Sequence, residues 1–333
     1  MPTNNEPLRI GILGAARICA EAIVGPAHAG GHRLVAVAAR DRARAEAFAT
    51  SNGVERVHDN YQAVIDDPDV EVVYNPLPNS LHAQWNIRAA LAGKHVLTEK
   101  PSAVSALQAR EVLDVVKHTG GAFLEGFHYF HHPVMQRLLS LLDIGELGQF
   151  RRLEVDMYMP APAAGDPRWS GPLAGGALMD LGCYGLHLTR QLASRAGGDP
   201  AVLSARRGTN PRYPGVDDWF EVDLRYRGGA TSSVRSRMSG AEWRFTVEVV
   251  GTAGSAHACN FVKANQDDRV LVATDAGQRI EHLGVRSSYE YQLEAFARHI
   301  RLGEVLPWGV EDSVRTLEII EAAAAAATEL SAP

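Results

Sequence analysis

Two short stretches carry side chains that could move a proton. Glu99-Lys100-Pro101 follows directly on the β-rich run His95–Thr98, and Asp180, Tyr184 and His187 stand at i, i+4 and i+7. In a helix that spacing sets the three side chains on one face. Gly175 and Gly176 precede them and let the helix start approach another group closely. A phenol titrates near ~10 when unperturbed, so Tyr184 needs a nearby cation to stabilise its phenolate. Lys100 suits that role, and its ammonium would also bond a carbonyl oxygen as negative charge develops there. Asp180 would orient Lys100 or a substrate hydroxyl, while His187 is the competing acid/base. The plainer alternative is an N-terminal acid and two amphipathic residues packing on a sheet.

Lys100 needs a frame to aim it, and the first third of the chain supplies one. Leu8–Leu13, Leu34–Ala38, Val70–Tyr74, His95–Thr98 and Ala122–Gly126 are strand candidates. Helical stretches over Asp41–Ser51, Ser80–Ala92 and Val104–His118 lie between them. This alternation predicts a doubly wound parallel sheet, whose ligands sit beyond the carboxyl ends of the strands. After the first strand come Gly14, Ala15, Ala16, Arg17 and Ile18, a turn and helix start. The residues are small enough for a backbone to approach a pyrophosphate. The GxGxxG fingerprint is degraded, because Ala16 and Cys19 replace its second and third glycines. After the second strand, where NAD sites place an acid, the chain reads Ala38-Ala39-Arg40-Asp41. Arg40, with Arg44 one turn on, can meet a 2′-phosphate, and Asp41 reads as a helix N-cap. NADP(H) is therefore favoured over NAD(H).

Beyond residue 127 the pattern changes. A helix is expected near Pro133–Leu142, then mainly strands. Phe220–Tyr226 and Trp243–Val249 alternate strictly, with a Gly228-Gly229 turn between them. Helices over Tyr289–Leu302 and Val310–Leu330 close the chain. The expected fold is α/β: a Rossmann domain over 1–127, and an α+β domain over 128–333 with an open, mainly antiparallel sheet. The second domain would bind substrate and, through its sheet face, form a homodimer.

With Tyr74-Asn-Pro-Leu-Pro-Asn79-Ser-Leu-His82, Glu99-Lys100-Pro101 and Asp180-x-Gly182-x-Tyr184-x-x-His187, the sequence resembles the glucose–fructose oxidoreductase, inositol dehydrogenase and MocA family over essentially its whole length. Many members carry His where Tyr184 stands and Asp where His187 stands. The tyrosine form looks like the branch of glucose–fructose oxidoreductase and the dimeric dihydrodiol dehydrogenases. Arg17 and Arg40 are similar to the NADP-using members. The resemblance implies that Asn75, Pro76, Leu77, Asn79 and His82 run along the nicotinamide ribose, with Glu99 and Lys100 beside the cofactor. Trp169, ahead of the glycine pair, would reach cofactor or substrate, or else anchor a domain interface.

The remaining composition excludes other classes. With 33 basic and 39 acidic residues the chain has a net charge of −6, unlike a nucleic-acid or membrane-surface binder. No apolar run is long enough to span a bilayer. Cys19, Cys183 and Cys259 are scattered and odd in number, which suits a reducing, cytoplasmic setting. The polar start Met-Pro-Thr-Asn-Asn-Glu lacks a signal-peptide pattern. His128 and His132 sit four apart but without an acidic or thiol partner nearby, so no metal is expected. The expected activity is hydride transfer between NADP(H) and a sugar, ketosugar, cyclitol or dihydrodiol. A non-catalytic dinucleotide-binding regulator, and an NAD-dependent glycosidase holding its cofactor tightly, are the competing readings.

Overall fold

A computed structural model describes residues 6–329. The polar Met1–Asn5 and Leu330, the expected end of the last helix, lie outside the described residues. The chain forms two compact units, one of Met1–Phe127 with Tyr289–Leu317 and one of His128–Ser288 with Glu318–Pro333.

The first unit holds six strands: β1 Arg9–Leu13, β2 Arg33–Ala38, β3 Arg56–Val57, β4 Val72–Asn75, β5 His95–Thr98 and β6 Phe123–Glu125. Their order is β3-β2-β1-β4-β5-β6, and every pairing is parallel. Direction of winding reverses between β1 and β4, which opens a crevice at their carboxyl ends. A π-helical turn, Ala20–Val24, leads into α1 Gly25–Ala29; α2 Arg42–Asn52, α3 Tyr61–Asp66, α4 His82–Leu91 and α5 Ala106–Thr119 follow. Asp41 caps α2, accepting from the backbone N–H of Ala43 at 2.9 Å and of Arg44 at 3.3 Å. Ser105 caps α5 in the same way, through the N–H of Gln108. The short β3 and α3 escape detection in the sequence, because two and six residues are too few to display a period.

The second unit opens with α6 Pro133–Asp143 and β7 Phe150–Tyr158, then α7 Cys183–Gln191. β8 Pro200–Thr209, β9 Asp217–Tyr226, β10 Thr231–Arg237, β11 Arg244–Gly251, β12 Gly254–Ala258, β13 Arg269–Thr274 and β14 Gly277–His282 complete its meander. Along the chain α8 Ser288–Leu302 and α9 Val310–Ala326 come next, of which Tyr289–Leu317 belongs to the first unit, and β15 Ala327–Glu329 ends the described chain. Nine strands form one sheet in the order β14-β13-β12-β11-β7-β10-β9-β8-β15. It is mixed but mainly antiparallel, with β7–β10 and β8–β15 the parallel pairs.

Phe220, Val222, Leu224 and Tyr226 share the buried face of β9, and Phe245, Val247 and Val249 that of β11. β10 shows why a strand can hide in a sequence: its buried positions are Ser232, Val234 and Ser236. Serine is tolerated there because each hydroxyl is bonded, Ser232 with Thr189 Oγ1 at 2.7 Å and Ser236 to the Phe220 carbonyl at 3.2 Å. Register sets Ser204, Asp223, Ser233, Glu154, Glu248, His257, Leu271 and Ile280 in one row across the opposite face. That row is polar over most of its length. The last helix is shorter than expected: it ends at Ala326, and Ala327–Glu329 pair with β8. Alanine favours helix intrinsically, but a strand edge offering main-chain hydrogen bonds outweighs that preference.

Candidate active site

In the first unit, three loops at the carboxyl ends of adjacent strands are tied by one buried hydrogen-bond chain. Asn75, at the end of β4, donates through Nδ2 to Asn86 Oδ1 at 2.8 Å and to the His82 carbonyl at 3.2 Å. Asn86 donates in turn to the Ser102 carbonyl at 3.1 Å. Glu125, on β6, accepts from the Ser102 N–H at 2.7 Å and from Ser313 Oγ at 2.6 Å. Lys100, half-buried, sits inside this frame, and its peptide bond to Pro101 is cis. Glu99 N donates to the Asn75 carbonyl at 2.9 Å, so the main chain fixes the approach to Lys100.

Glu99 turns its carboxylate to Tyr74, which donates to Oε1 at 2.8 Å. Burial raises the Glu99 pKa, opposed by the charge of Lys100 and the Tyr74 bond. His82 is fully buried and points inward. Its Nδ1 lies 2.6 Å from the Pro101 carbonyl and its Nε2 2.6 Å from the Leu77 carbonyl. Burial lowers its pKa to about 4 against the pull of those two acceptors. Neutral above that pH, the ring donates to one of the two carbonyls at a time and wedges between the loop after β4 and the loop after β5. Pro76 and Leu77 are buried, and Asn79 is half-buried at the start of a 3₁₀ turn.

At the end of β1, Gly14 has φ +108°, a region L side chains rarely adopt, and donates its N–H to the Ala38 carbonyl at 2.7 Å. A Cβ there would stand 3.2 Å from Leu77 Cδ2. Ala15, Ala16 and Ile18 are half-buried, and Arg17 and Arg40 are exposed. Arg44 donates to the Ala15 carbonyl at 3.0 Å, holding the loop against α2. A bare backbone turn flanked by guanidinium groups fits a dinucleotide phosphate. Cys19 is inert beside it: burial pushes its thiol up to about 12.

The second unit sets Asp180, Tyr184 and His187 further apart than the expected single helix face would. Leu178–Gly182 is a π-helical turn, not the start of an α-helix, so the angular register of i and i+4 is broken there. Asp180 turns back, accepting from the Gly176 N–H at 3.1 Å with Arg168 Nε 4.0 Å away. Tyr184 opens α7 and lies buried, its hydroxyl 3.3 Å from His128 Nε2. His187 Nδ1 is 2.8 Å from the Tyr129 hydroxyl and its Nε2 is 3.2 Å from the Gln191 amide nitrogen. Since the amide can only donate, Nε2 accepts, and Nδ1 carries the proton given to Tyr129. Burial, with Arg190 and His131 nearby, pushes the His187 pKa well below the histidine range.

Glycines allow this packing. A Cβ on Gly185 would lie 2.5 Å from Val234 Cγ1, so α7 presses its glycine edge onto β10. On Gly175 a Cβ would meet the Arg168 carbonyl, and on Gly176, at φ +139°, it would meet Asp217 Oδ1. Asp217 accepts from the Leu178 N–H at 2.6 Å, and burial raises its pKa to about 6. Trp169 is buried, donates to the Pro162 carbonyl at 3.0 Å, and stacks on Tyr213 at 4.6 Å. His132 faces the Val134 N–H and the Arg286 carbonyl, away from the contacts of His128. Sequence reasoning passed over Asp217 and weighed His128 only as a metal ligand. The Asp217-Asp218 pair at a strand start, and a histidine beside Tyr129, were the available signals.

A six-stranded sheet of this order, with a small-residue turn after β1 and a crevice at the strand reversal, is the frame of a dinucleotide-binding protein. Residues 8–127 match the oxidoreductase family with an NAD-binding Rossmann fold, and residues 135–257 match the GFO/IDH/MocA C-terminal domain. The chain belongs to the GFO/IDH/MocA oxidoreductase family. It is 33% identical to D-xylose 1-dehydrogenase (NADP(+)) 2 of Haloferax volcanii, over 95% of this chain and 96% of that one. It is 34% identical to the trans-1,2-dihydrobenzene-1,2-diol dehydrogenase of Bos taurus, over 85% and 82%. Among solved structures, a 3-ketoreductase from Actinomadura kijaniata in complex with NADP and TDP-benzene matches with a TM-score of 0.89. It is 27% identical, over 98% of this chain and 100% of that one.

Proposed function

We propose that this enzyme transfers hydride between NADP(H) and a carbinol or carbonyl carbon of a sugar, ketosugar, cyclitol or dihydrodiol. The observation that carries the reading is Lys100 at the carboxyl end of β5, two residues before Ser102, which a buried hydrogen-bond chain ties to Asn86 and Glu125, in a chain similar over 95% of its length to an NADP-dependent sugar dehydrogenase. Gly14, Ala15, Ala16 and Ile18 approach the pyrophosphate, and Arg17 and Arg40 meet the 2′-phosphate. Pro76, Leu77 and Asn79 line the ribose, with His82 setting their backbone from beneath. Glu99 stands with Lys100 beside the cofactor, and Trp169 reaches the cofactor or the substrate.

Bound nicotinamide supplies or accepts the hydride. Tyr184 moves the accompanying proton, giving it to the substrate oxygen on reduction and taking it on oxidation. Lys100 stabilises the charge on that oxygen. Asp180, bonded to the Gly176 N–H, fixes the helix start from which Tyr184 projects. His187 is occupied at both nitrogens, which favours Tyr184 over it as the acid/base. Self-association through the open sheet face is part of the reading, with Leu271 and Ile280 exposed at one end of its polar row. A cytoplasmic setting is supported by three cysteines that are all free thiols. No helix among the described residues is long and apolar enough to cross a membrane.

Fluorescence titration with NADPH and NADH, then turnover on D-xylose, dTDP-ketosugars and dihydrodiols, tests the proposal. Tighter NADPH binding, with turnover lost in Lys100→Ala and Tyr184→Phe, is the expected result. Binding of neither nucleotide overturns it at the first step.

A further inference from the structure

His128 is a fully buried ionisable group within hydrogen-bond reach of the Tyr184 hydroxyl. Its side chain is 0% exposed, its Nδ1 lies 2.8 Å from Ser288 Oγ, and its Nε2 lies 3.3 Å from the Tyr184 hydroxyl. The two rings meet edge to face, with centroids 6.0 Å apart. Ser288 is itself buried, at 2% exposure. A buried imidazole spanning two hydroxyls is satisfied only in a chosen tautomer, because each nitrogen either donates or accepts.

Resting on the reading of Tyr184 as acid/base, we infer that His128 is the positioning residue for that phenol. Ser288 donates to Nδ1, and the Nε2–H is donated to the Tyr184 oxygen. The phenol oxygen then receives one hydrogen bond from behind, and its own O–H is directed away from His128 toward the substrate oxygen. In the opposite tautomer the single phenolic proton would be tied to Nε2 and unavailable to substrate. The 3.3 Å separation is long for a hydrogen bond, as catalytic contacts often are before substrate is bound.

On reduction, hydride from the nicotinamide forms the new C–H bond, and the C=O π pair takes the Tyr184 proton to form O–H. The phenolate left behind keeps the Nε2–H bond, which no longer faces a neutral oxygen but an anion. Hydrogen bonds to charged groups are roughly twice as strong as neutral ones, so the gain falls on the phenolate. The phenolate recovers its proton from water. Other ionisable groups around this cluster within the unit are Tyr129, His131, Cys183, His187 and Arg190, with Asp180 one turn back on the same segment. Burial pushes Tyr129 well above the phenol range, and His187 is held neutral, so neither competes for the proton near neutral pH.

The experiment is a pH titration of NADP⁺-saturated protein carrying [ζ-¹³C]tyrosine, with the Tyr184 signal assigned by its loss in Tyr184→Phe. In His128→Phe, which keeps an aromatic ring but no nitrogen, the midpoint of Tyr184 should rise by about one pH unit or more. His128→Gln, which can place an amide N–H near the Nε2 position, should return it most of the way. Turnover in His128→Phe should fall about tenfold or more in kcat with KM unchanged, and recover at high pH in the oxidative direction. An unchanged midpoint in folded His128→Phe overturns the inference. If that variant fails to fold, Ser288→Ala decides, since it frees Nδ1 and should move the midpoint the same way. Undiminished turnover in Tyr184→Phe removes the underlying reading and the inference with it. Lost turnover in Tyr184→Phe beside an unmoved midpoint in His128→Phe overturns the inference alone.

Discussion

Lys100 and Tyr184 are held by different means. Around Lys100 the holding groups are main-chain amides and carbonyls, bridged by Asn75, His82, Asn86 and Glu125. Around Tyr184 they are rings and glycines: His128 and Tyr129 pack on the phenol, and Gly185 lets α7 close onto β10. A backbone-held side chain keeps its origin whatever its neighbours do, but a ring-held side chain moves when any packing partner changes. The first unit should therefore lose stability before geometry, and the second should lose geometry, and with it rate, before stability.

The largest effect is expected at the phenol proposed to move the proton. Tyr184→Phe should lower kcat by about a hundredfold or more while leaving the NADPH dissociation constant within a factor of two, read by single-turnover kinetics and fluorescence. Loss of NADPH binding in that variant would break the comparison, by showing that Tyr184 also bears on cofactor binding.

Gly185→Ala comes next. Its methyl would overlap Val234, and overpacking of this kind costs about 1–3 kcal/mol. Denaturant unfolding should show that loss, and kcat should fall with it as α7 lifts from β10. Stability lost without any change in kcat would mean the phenol is not held by packing.

Asn86→Ala tests the other unit. It strips Asn75 of its acceptor and the Ser102 carbonyl of its donor, and each orphaned buried group costs about 1–3 kcal/mol. Here a drop in stability with kcat largely kept is expected, the reverse of the pattern for Gly185→Ala.

Smaller effects follow pH. His82 in the folded chain titrates at about 4, below the ordinary histidine value, so the unfolded chain takes up its proton first. Its contribution to stability is complete above about 6.5 and drains away as pH falls toward about 4. His82→Gln should flatten that limb of the stability curve. Asp217 has the opposite sign: folded, it titrates at about 6, so burying its carboxylate costs stability above that pH. Asp217→Asn should gain roughly 1 kcal/mol at pH 8, an advantage that vanishes near pH 4. A loss at pH 8 instead would show that the charge itself holds the Leu178 N–H.

Much of this was legible beforehand. Alternating β-rich and helical runs announced the parallel sheet, and the strict period of Phe220–Tyr226 announced the second one. β10 stayed hidden because its buried face is mostly serine, and β15 because alanine reads as helix. Asp41 was legible as a cap because capping is decided within four residues. His128 and Asp217 were not, because their partners lie 56 and 39 residues away.

By itself, then, the amino-acid order determined which elements form, where glycine is needed, and which side chains can carry charge or protons. Those are local properties, set by backbone sterics and by the period of apolar residues. Tertiary structure alone decided that a π turn separates Asp180 from Tyr184, that His82 faces inward, and that an imidazole stands behind the phenol. The reason is physical: a buried polar group takes whichever partner the fold brings within about 3 Å, and sequence distance does not constrain that choice.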